Sequence, residues 1–348
     1  MKKITGIKNY NLSADIIRIL AAFFVIFSHS TDRFVMYTTL NTSSAWHIIY
    51  YMNTLSRIAV PLFVVLSGYL LLNREKITTV KTFYNKRFSR VLYPFIIWLI
   101  IYYLWEQYFD QVILTPGFIF QSLWGAGIWH LYFLIIIMEL YLITPLIEHF
   151  NATRTRKQQT ILFWSLLALS VVCSLIVNLH INIQALSLTI FIPYLGYYYA
   201  GGYLREVKVN KLWTILFLIL YLILAYVTNL IANGNTTSYI IFNFSPTLLP
   251  MTLFLFLALK DIHLHFKKDL FSNRVVNIIS YVGRTTFGIY LLHFLVLDIV
   301  LKNLNLYPWQ LHAPLVLWAI VPALITSIIT FIAIALIRLL PYSKYFVG

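Results

Sequence analysis

Residues 15–30 read DIIRILAAFFVIFSHS. The stretch belongs to a hydrophobic span, yet it carries an acid, a base and a histidine. Arg18 and His29 are eleven residues apart, which on an α-helix is three turns plus about 20°. Both therefore project from one face, separated along the axis by about 16 Å. Asp15 stands three residues before Arg18 and can pair with its guanidinium. Ionisable groups at membrane depth are costly unless they face the bundle interior or water. The face bearing Arg18 and His29 is therefore expected to line a cavity. The competing reading is a structural Asp15–Arg18 pair at a helix end with a hydrogen-bonded core histidine.

The rest of the chain supports a membrane setting. Of 348 residues, 60% are hydrophobic and only 11% are charged. A soluble domain so composed would expose large apolar patches. Apolar runs of about 18 residues or more recur instead, the pattern of membrane-spanning helices. Ten spans are expected, at 14–31, 52–72, 91–108, 129–149, 160–179, 185–204, 212–232, 245–260, 285–301 and 314–340. The last needs tilt or a break near Pro322. The first is not a cleaved signal peptide, because Arg18 lies inside it and no small-residue cleavage site follows. The expected fold is all-α and polytopic, one transmembrane domain over 1–348 with no extracytoplasmic soluble domain.

The formal net charge is +15. In a soluble protein that would suggest nucleic acid. Here 22 of the 26 basic residues fall on one side of the expected spans, only Arg33 and Lys302 on the other, with Arg18 and Arg57 inside spans. Cytoplasmic retention of basic loops explains the excess, so no nucleic-acid partner is expected and both termini are placed in the cytoplasm. Cys173 is the single cysteine, which excludes an intrachain disulfide and a cysteine-based metal site. His263 and His265 lack companions at ligand spacing, and no metal site is expected.

Five short stretches, in order, resemble the acyltransferase family 3 membrane proteins. They are the Arg18-to-His29 spacing in the first span, VPLFVVLSGYLL at 60–71, KRFSRVLYP at 86–94, WHLYF at 129–133 followed by Glu139, and TTFGIYLLHF at 285–294. The resemblance covers most of the chain. It implies transfer of an acyl group, usually acetyl from acetyl-CoA, to hydroxyls of cell-surface or secreted carbohydrate or a lipid-linked precursor. It also implies residence in a bacterial cytoplasmic membrane. Members of the family often carry a further extracytoplasmic domain; a separate partner is the alternative here.

On that resemblance His29 is the candidate general base, since a neutral imidazole suits that task near pH 7. Arg18 would orient the donor or stabilise developing negative charge, and Asp15 would orient Arg18. Arg87 and Arg90, three apart on one helical face, suit the donor phosphates. Lys86 and Lys81 fit the same role or ordinary charge retention. Ser67 and Gly68 are candidates for donor contact, with close helix packing the alternative. On the acceptor side, Arg57 is expected to share the face of Gly68, eleven residues on, and to pair with Glu139. Trp129 and Tyr132 would form a sugar-stacking platform or serve as interfacial aromatics. Thr286, Tyr290 and His293 share one helical stripe, where His293 shapes the site or makes a structural hydrogen bond. The rival function is a glycan or metabolite exporter without chemistry, which intramembrane charges and a central cavity serve equally well.

Overall fold

The computed structural model describes residues 11–35, 44–72, 79–109, 111–117, 129–178, 190–232, 245–262, 273–303 and 315–348. The fold is all-α. The principal helices are α1 (Leu12–Val35), α2 (Ser44–Ser56), α3 (Ala59–Leu71), α4 (Val80–Phe109), α5 (Tyr132–Thr153) and α6 (Arg156–Asn178). They continue with α7 (Leu195–Tyr203), α8 (Lys211–Ala232), α9 (Leu248–Lys260), α10 (Asn273–Asn303), α11 (Leu315–Ile337) and a terminal turn α12 (Lys344–Val347). Among the described residues, eight spans are long and apolar enough to cross a membrane, with α2 and α3 together making one of them. Each of the ten expected spans holds a helix, but α7 and α9 run for only 9 and 13 residues. α11 passes through Pro322 without a break.

α1 and α10 form the centre. Of their most apolar windows, 61% and 67% are buried inside the bundle, against 22% for α8 and 28% for α4, α6 and α11. The outer helices present Ile100, Leu104, Trp164, Ile223 and Leu336 outward, as a lipid-facing surface requires. α1 begins at Asn11, whose side-chain oxygen accepts from the Ala14 amide at 3.0 Å, a side-chain cap on otherwise orphaned donors. It packs against α2, α3, α9, α10 and α11, with the small residues Ala14, Ala21 and Ala22 buried. Small residues allow the close approach that holds helices together where lipid removes the usual hydrophobic drive.

At one end of the bundle, connections from successive spans are tied together. Arg205 donates to the Leu72 carbonyl at 3.4 Å, Arg156 stacks over Tyr203 at 4.1 Å, and buried Lys260 bonds the Val207 carbonyl and Asp261. Arg87 and Arg90 enter α4 at this basic end.

One expected relationship is overturned. Arg57 and Gly68 are not on one uninterrupted helix, because the chain turns at Arg57 and Ile58 between α2 and α3, and Arg57 meets Asp32 of α1 while Gly68 packs on Tyr198 of α7. Pro61 supplies the cause. It has no amide hydrogen to give the Arg57 carbonyl four residues back, and its ring crowds that carbonyl.

Candidate active site

The site is built on α1 in two layers. In the inner layer, Asp15 Oδ1 lies 2.5 Å from Arg18 Nη1. Arg18 lines a cavity of about 440 Å3 bounded by α1, α3, α4, α5 and α10. Arg87 and Arg90 line it from α4, Ser67 from α3, Tyr141 from α5 and Thr286 from α10. Three guanidiniums around one partly apolar hollow concentrate positive charge beside apolar surface. Ser67 gives its own hydroxyl hydrogen to the Phe63 carbonyl at 2.9 Å. Gly68 does not line the cavity. It is buried against α7, where an added Cβ would fall 1.8 Å from the Tyr198 carbonyl oxygen. Lys86 does not line the cavity either and is exposed.

The outer layer is three turns further along α1. The His29 ring stacks on His293 of α10, with centroids 5.5 Å apart and planes at 29°. The edge of Phe294 meets the same ring at 5.6 Å. His29 Nδ1 faces Asp32 Oδ2 at 3.6 Å. The other oxygen of Asp32 accepts from Arg57 at 2.5 Å and from Asn53 Nδ2 at 2.9 Å. Arg57 Nε donates to Asn53 Oδ1 at 2.9 Å, closing the network. The Arg57 side chain is only 6% exposed, whereas that of His29 is 29% exposed. A buried, fully engaged carboxylate thus sits beside a reachable imidazole.

His293 is fully buried, and its Nδ1 lies 2.5 Å from the Tyr290 carbonyl. His130, between Trp129 and Leu131 in the 3-10 turn before α5, packs edge-on to His293 at 4.9 Å and stacks on Phe294 at 5.2 Å. Three imidazoles from α1, α5's approach and α10 therefore meet in one layer.

The expected Arg57–Glu139 pair does not form. Arg57 turns toward the outer end of α1 and takes Asp32, while both Glu139 oxygens are buried with no hydrogen-bond partner of normal geometry among the described residues. Glu139 does not line the cavity. Tyr132 is half-buried against the main core, and the side chain of Trp129 lies outside the described residues. Sequence reasoning passed over Asp32, Asn53 and His130. Asp32 stands three residues after His29, a same-face spacing, but falls just beyond the expected end of the first span. Asn53 stands four before Arg57. His130 lies within WHLYF, where the flanking aromatics drew the attention.

The arrangement is thus a histidine facing a carboxylate, three turns along α1 from a hollow lined by three guanidiniums. Residues 11–337 match the family model for an acyltransferase domain, that of acyltransferase family 3, and the chain belongs to this family. Among curated proteins it is similar to a "Probable poly-beta-1,6-N-acetyl-D-glucosamine export protein" of Staphylococcus aureus strain MSSA476, 24% identical over 310 residues, 86% of each chain. The protein of the same description from strain MRSA252 is 26% identical over 268 residues, 74% of each chain. No solved structure matches significantly.

Proposed function

We propose that this protein is an O-acyltransferase of a bacterial cytoplasmic membrane. It takes an acyl group, acetyl in the first instance, from cytoplasmic acetyl-CoA and esterifies a hydroxyl of a surface or secreted polysaccharide. The names of the relatives point to a β-1,6-linked N-acetylglucosamine polymer or its lipid-linked precursor as the acceptor to test first. The observation that carries the reading is the succession on α1, with Arg18 in the wall of the basic cavity and His29 beside Asp32 one layer further out.

In this reading Arg87, Arg90 and Arg18 hold the donor phosphates and orient the thioester arm, with Asp15 fixing Arg18. His29 Nε2 takes the proton of the acceptor hydroxyl as its oxygen attacks the thioester carbonyl. The C–S bond breaks, and the departing thiolate recovers the proton from the imidazolium. Asp32 stabilises that imidazolium, and Arg57 and Asn53 hold Asp32 in place. His293 and Tyr132 belong to the acceptor side. A separate extracytoplasmic protein completing the transfer is compatible with this scheme.

The test uses purified protein in lipid nanodiscs with radiolabelled acetyl-CoA and oligomers of β-1,6-linked N-acetylglucosamine. Wild type should form base-labile ester on the glycan. His29→Ala should lose about 100-fold or more of that rate, the typical contribution of a general base, while remaining monodisperse. Unchanged ester formation in His29→Ala would remove His29 from the chemistry. The second reading is glycan export without chemistry, favoured by the printed names of the relatives. Movement of labelled oligomer across proteoliposomes with no covalent transfer from any acyl-CoA would establish it instead.

A further inference from the structure

The cavity and the histidine layer are neighbours, yet among the described residues none of the three histidines lines the cavity. On α3, α5 and α10 the cavity wall ends in an aromatic residue. Along α1 the order is Arg18, then His29. Along α10 it is Thr286 and Phe287 in the cavity wall, then Tyr290, then His293. Along α5 it is Tyr141, Ile137 and Leu134, then Phe133, with His130 beyond. On α3 the cavity wall ends at Phe63, with Arg57 further out. Phe63, Phe133 and Tyr290 are thus the outermost cavity residues of α3, α5 and α10, with His130 and His293 three residues beyond the last two along the chain.

Phe133 meets each of the other two rings. Phe63 and Phe133 have centroids 5.6 Å apart, and Phe133 meets Tyr290 edge-on at 5.3 Å. On its far side Tyr290 lies 5.8 Å from the His130 ring and 5.7 Å from the His293 ring. Its hydroxyl is committed to the His130 carbonyl, which fixes the ring. Tyr290 is 3% exposed and Phe133 7%.

We infer that Phe63, Phe133 and Tyr290 form a constriction that selects the acyl group, admitting short unbranched acyl chains from the donor cavity to His29 and rejecting longer ones. The inference rests on the acyltransferase reading of the two layers. A thioester bound among Arg18, Arg87 and Arg90 must carry its carbonyl between these rings to meet an acceptor oxygen activated by His29. Each further methylene must then occupy space the rings already fill. An extra methylene in a close apolar pocket changes selectivity by about 10- to 200-fold.

The experiment measures kcat/KM of the wild type for acetyl-, butyryl-, hexanoyl- and octanoyl-CoA with the same glycan acceptor, products being quantified by mass spectrometry. A fall of about 100-fold or more from acetyl to butyryl is expected. Phe63→Ala and Phe133→Leu, each checked for monodispersity, should narrow that ratio to about tenfold or less by raising the rate with butyryl-CoA. Tyr290→Phe, which keeps the ring and loses the hydroxyl anchor, should narrow it less. A wild-type profile that is flat from two to eight carbons overturns the inference without any variant. So does a steep profile that persists unchanged in the folded Phe63→Ala and Phe133→Leu proteins. No transfer by wild type from any of the four donors overturns the acyltransferase reading itself, a result distinct from either of these.

Discussion

Arg57 Nη2 lies 2.5 Å from Asp32 Oδ1, joining the turn between α2 and α3 to the outer end of α1. The pair is nearly buried on both sides, with side-chain exposures of 6% and 9%. Asp32 meets His29 through its second oxygen, so a contact that locks two helices also fixes the electrostatic surroundings of the imidazole. Removing one partner of a buried ion pair leaves an uncompensated charge and costs about 3–5 kcal/mol. Asp32→Asn should therefore lower the thermal unfolding midpoint followed by tryptophan fluorescence. The double variant Asp32→Asn/Arg57→Gln should recover at least half of the loss, because neither charge is then stranded. A single Asp32→Asn protein that melts with the wild type would show that the pair does not hold the helices. At temperatures where Asp32→Asn is folded, its ester formation should still fall, since the imidazolium has lost its counter-charge.

Donor binding should depend on Arg87 and Arg90 and on salt. A hydrogen bond to a charged group is worth about 1.5–3 kcal/mol, so Arg87→Gln and Arg90→Gln should each raise KM for acetyl-CoA about tenfold with little change in kcat. The exposed Lys81 lies one helical turn or more before them, outside the cavity wall. Lys81→Gln should leave KM within about twofold. Raising the ionic strength should weaken the wild type's affinity and narrow its advantage over the arginine variants. Equal effects of Lys81→Gln and Arg87→Gln would reduce the basic end to a diffuse field with no built donor site.

Part of the site was legible in the chain: Arg18, Arg87, Arg90 and Ser67 meet at one cavity, while Lys86 and Gly68 do not line it and His29 stands in the layer beyond. The spacing of Arg18 and His29 specifies their shared face because an uninterrupted helix has a fixed period, and α1 has no interruption from Leu12 to Val35. The same arithmetic does not carry over to Arg57 and Gly68, since the helix is interrupted between them. Asp32 was missed because hydropathy marks where a span becomes polar and does not say that the first polar residue folds back onto its own helix. Contacts such as His29 with His293 join positions 264 residues apart in number. Helical periodicity places each on a stripe but says nothing of which stripes face each other.

Tyr290 should matter through its hydroxyl as well as its ring. The hydroxyl bonds the His130 carbonyl in the 3-10 turn leading into α5. Tyr290→Phe leaves a buried carbonyl without this donor, a loss of about 1–3 kcal/mol. The unfolding midpoint should drop modestly. A drop as large as that of Asp32→Asn would mean that Tyr290, more than the ion pair, holds α10 to the other helices of the site.

Gly68 separates packing from donor binding most sharply. An alanine Cβ there would lie 1.8 Å from the Tyr198 carbonyl oxygen and 2.8 Å from its carbon. On the facing helix, Gly201 stands in the same relation to the Val65 carbonyl oxygen, at 1.9 Å. Backbone on both sides leaves no flexible side chain to yield, so the cost should reach or exceed the usual 1–3 kcal/mol or so of overpacking. Gly68→Ala is expected to reduce the yield of folded protein in the membrane and to lower its unfolding midpoint. Ser67→Ala, one residue away, removes a hydroxyl that lines the cavity and bonds only its own helix among the contacts described. It should fold normally and alter KM for acetyl-CoA alone. If Gly68→Ala instead folds and melts as the wild type does while KM rises, the α3–α7 contact tolerates separation and Gly68 belongs to the donor site after all.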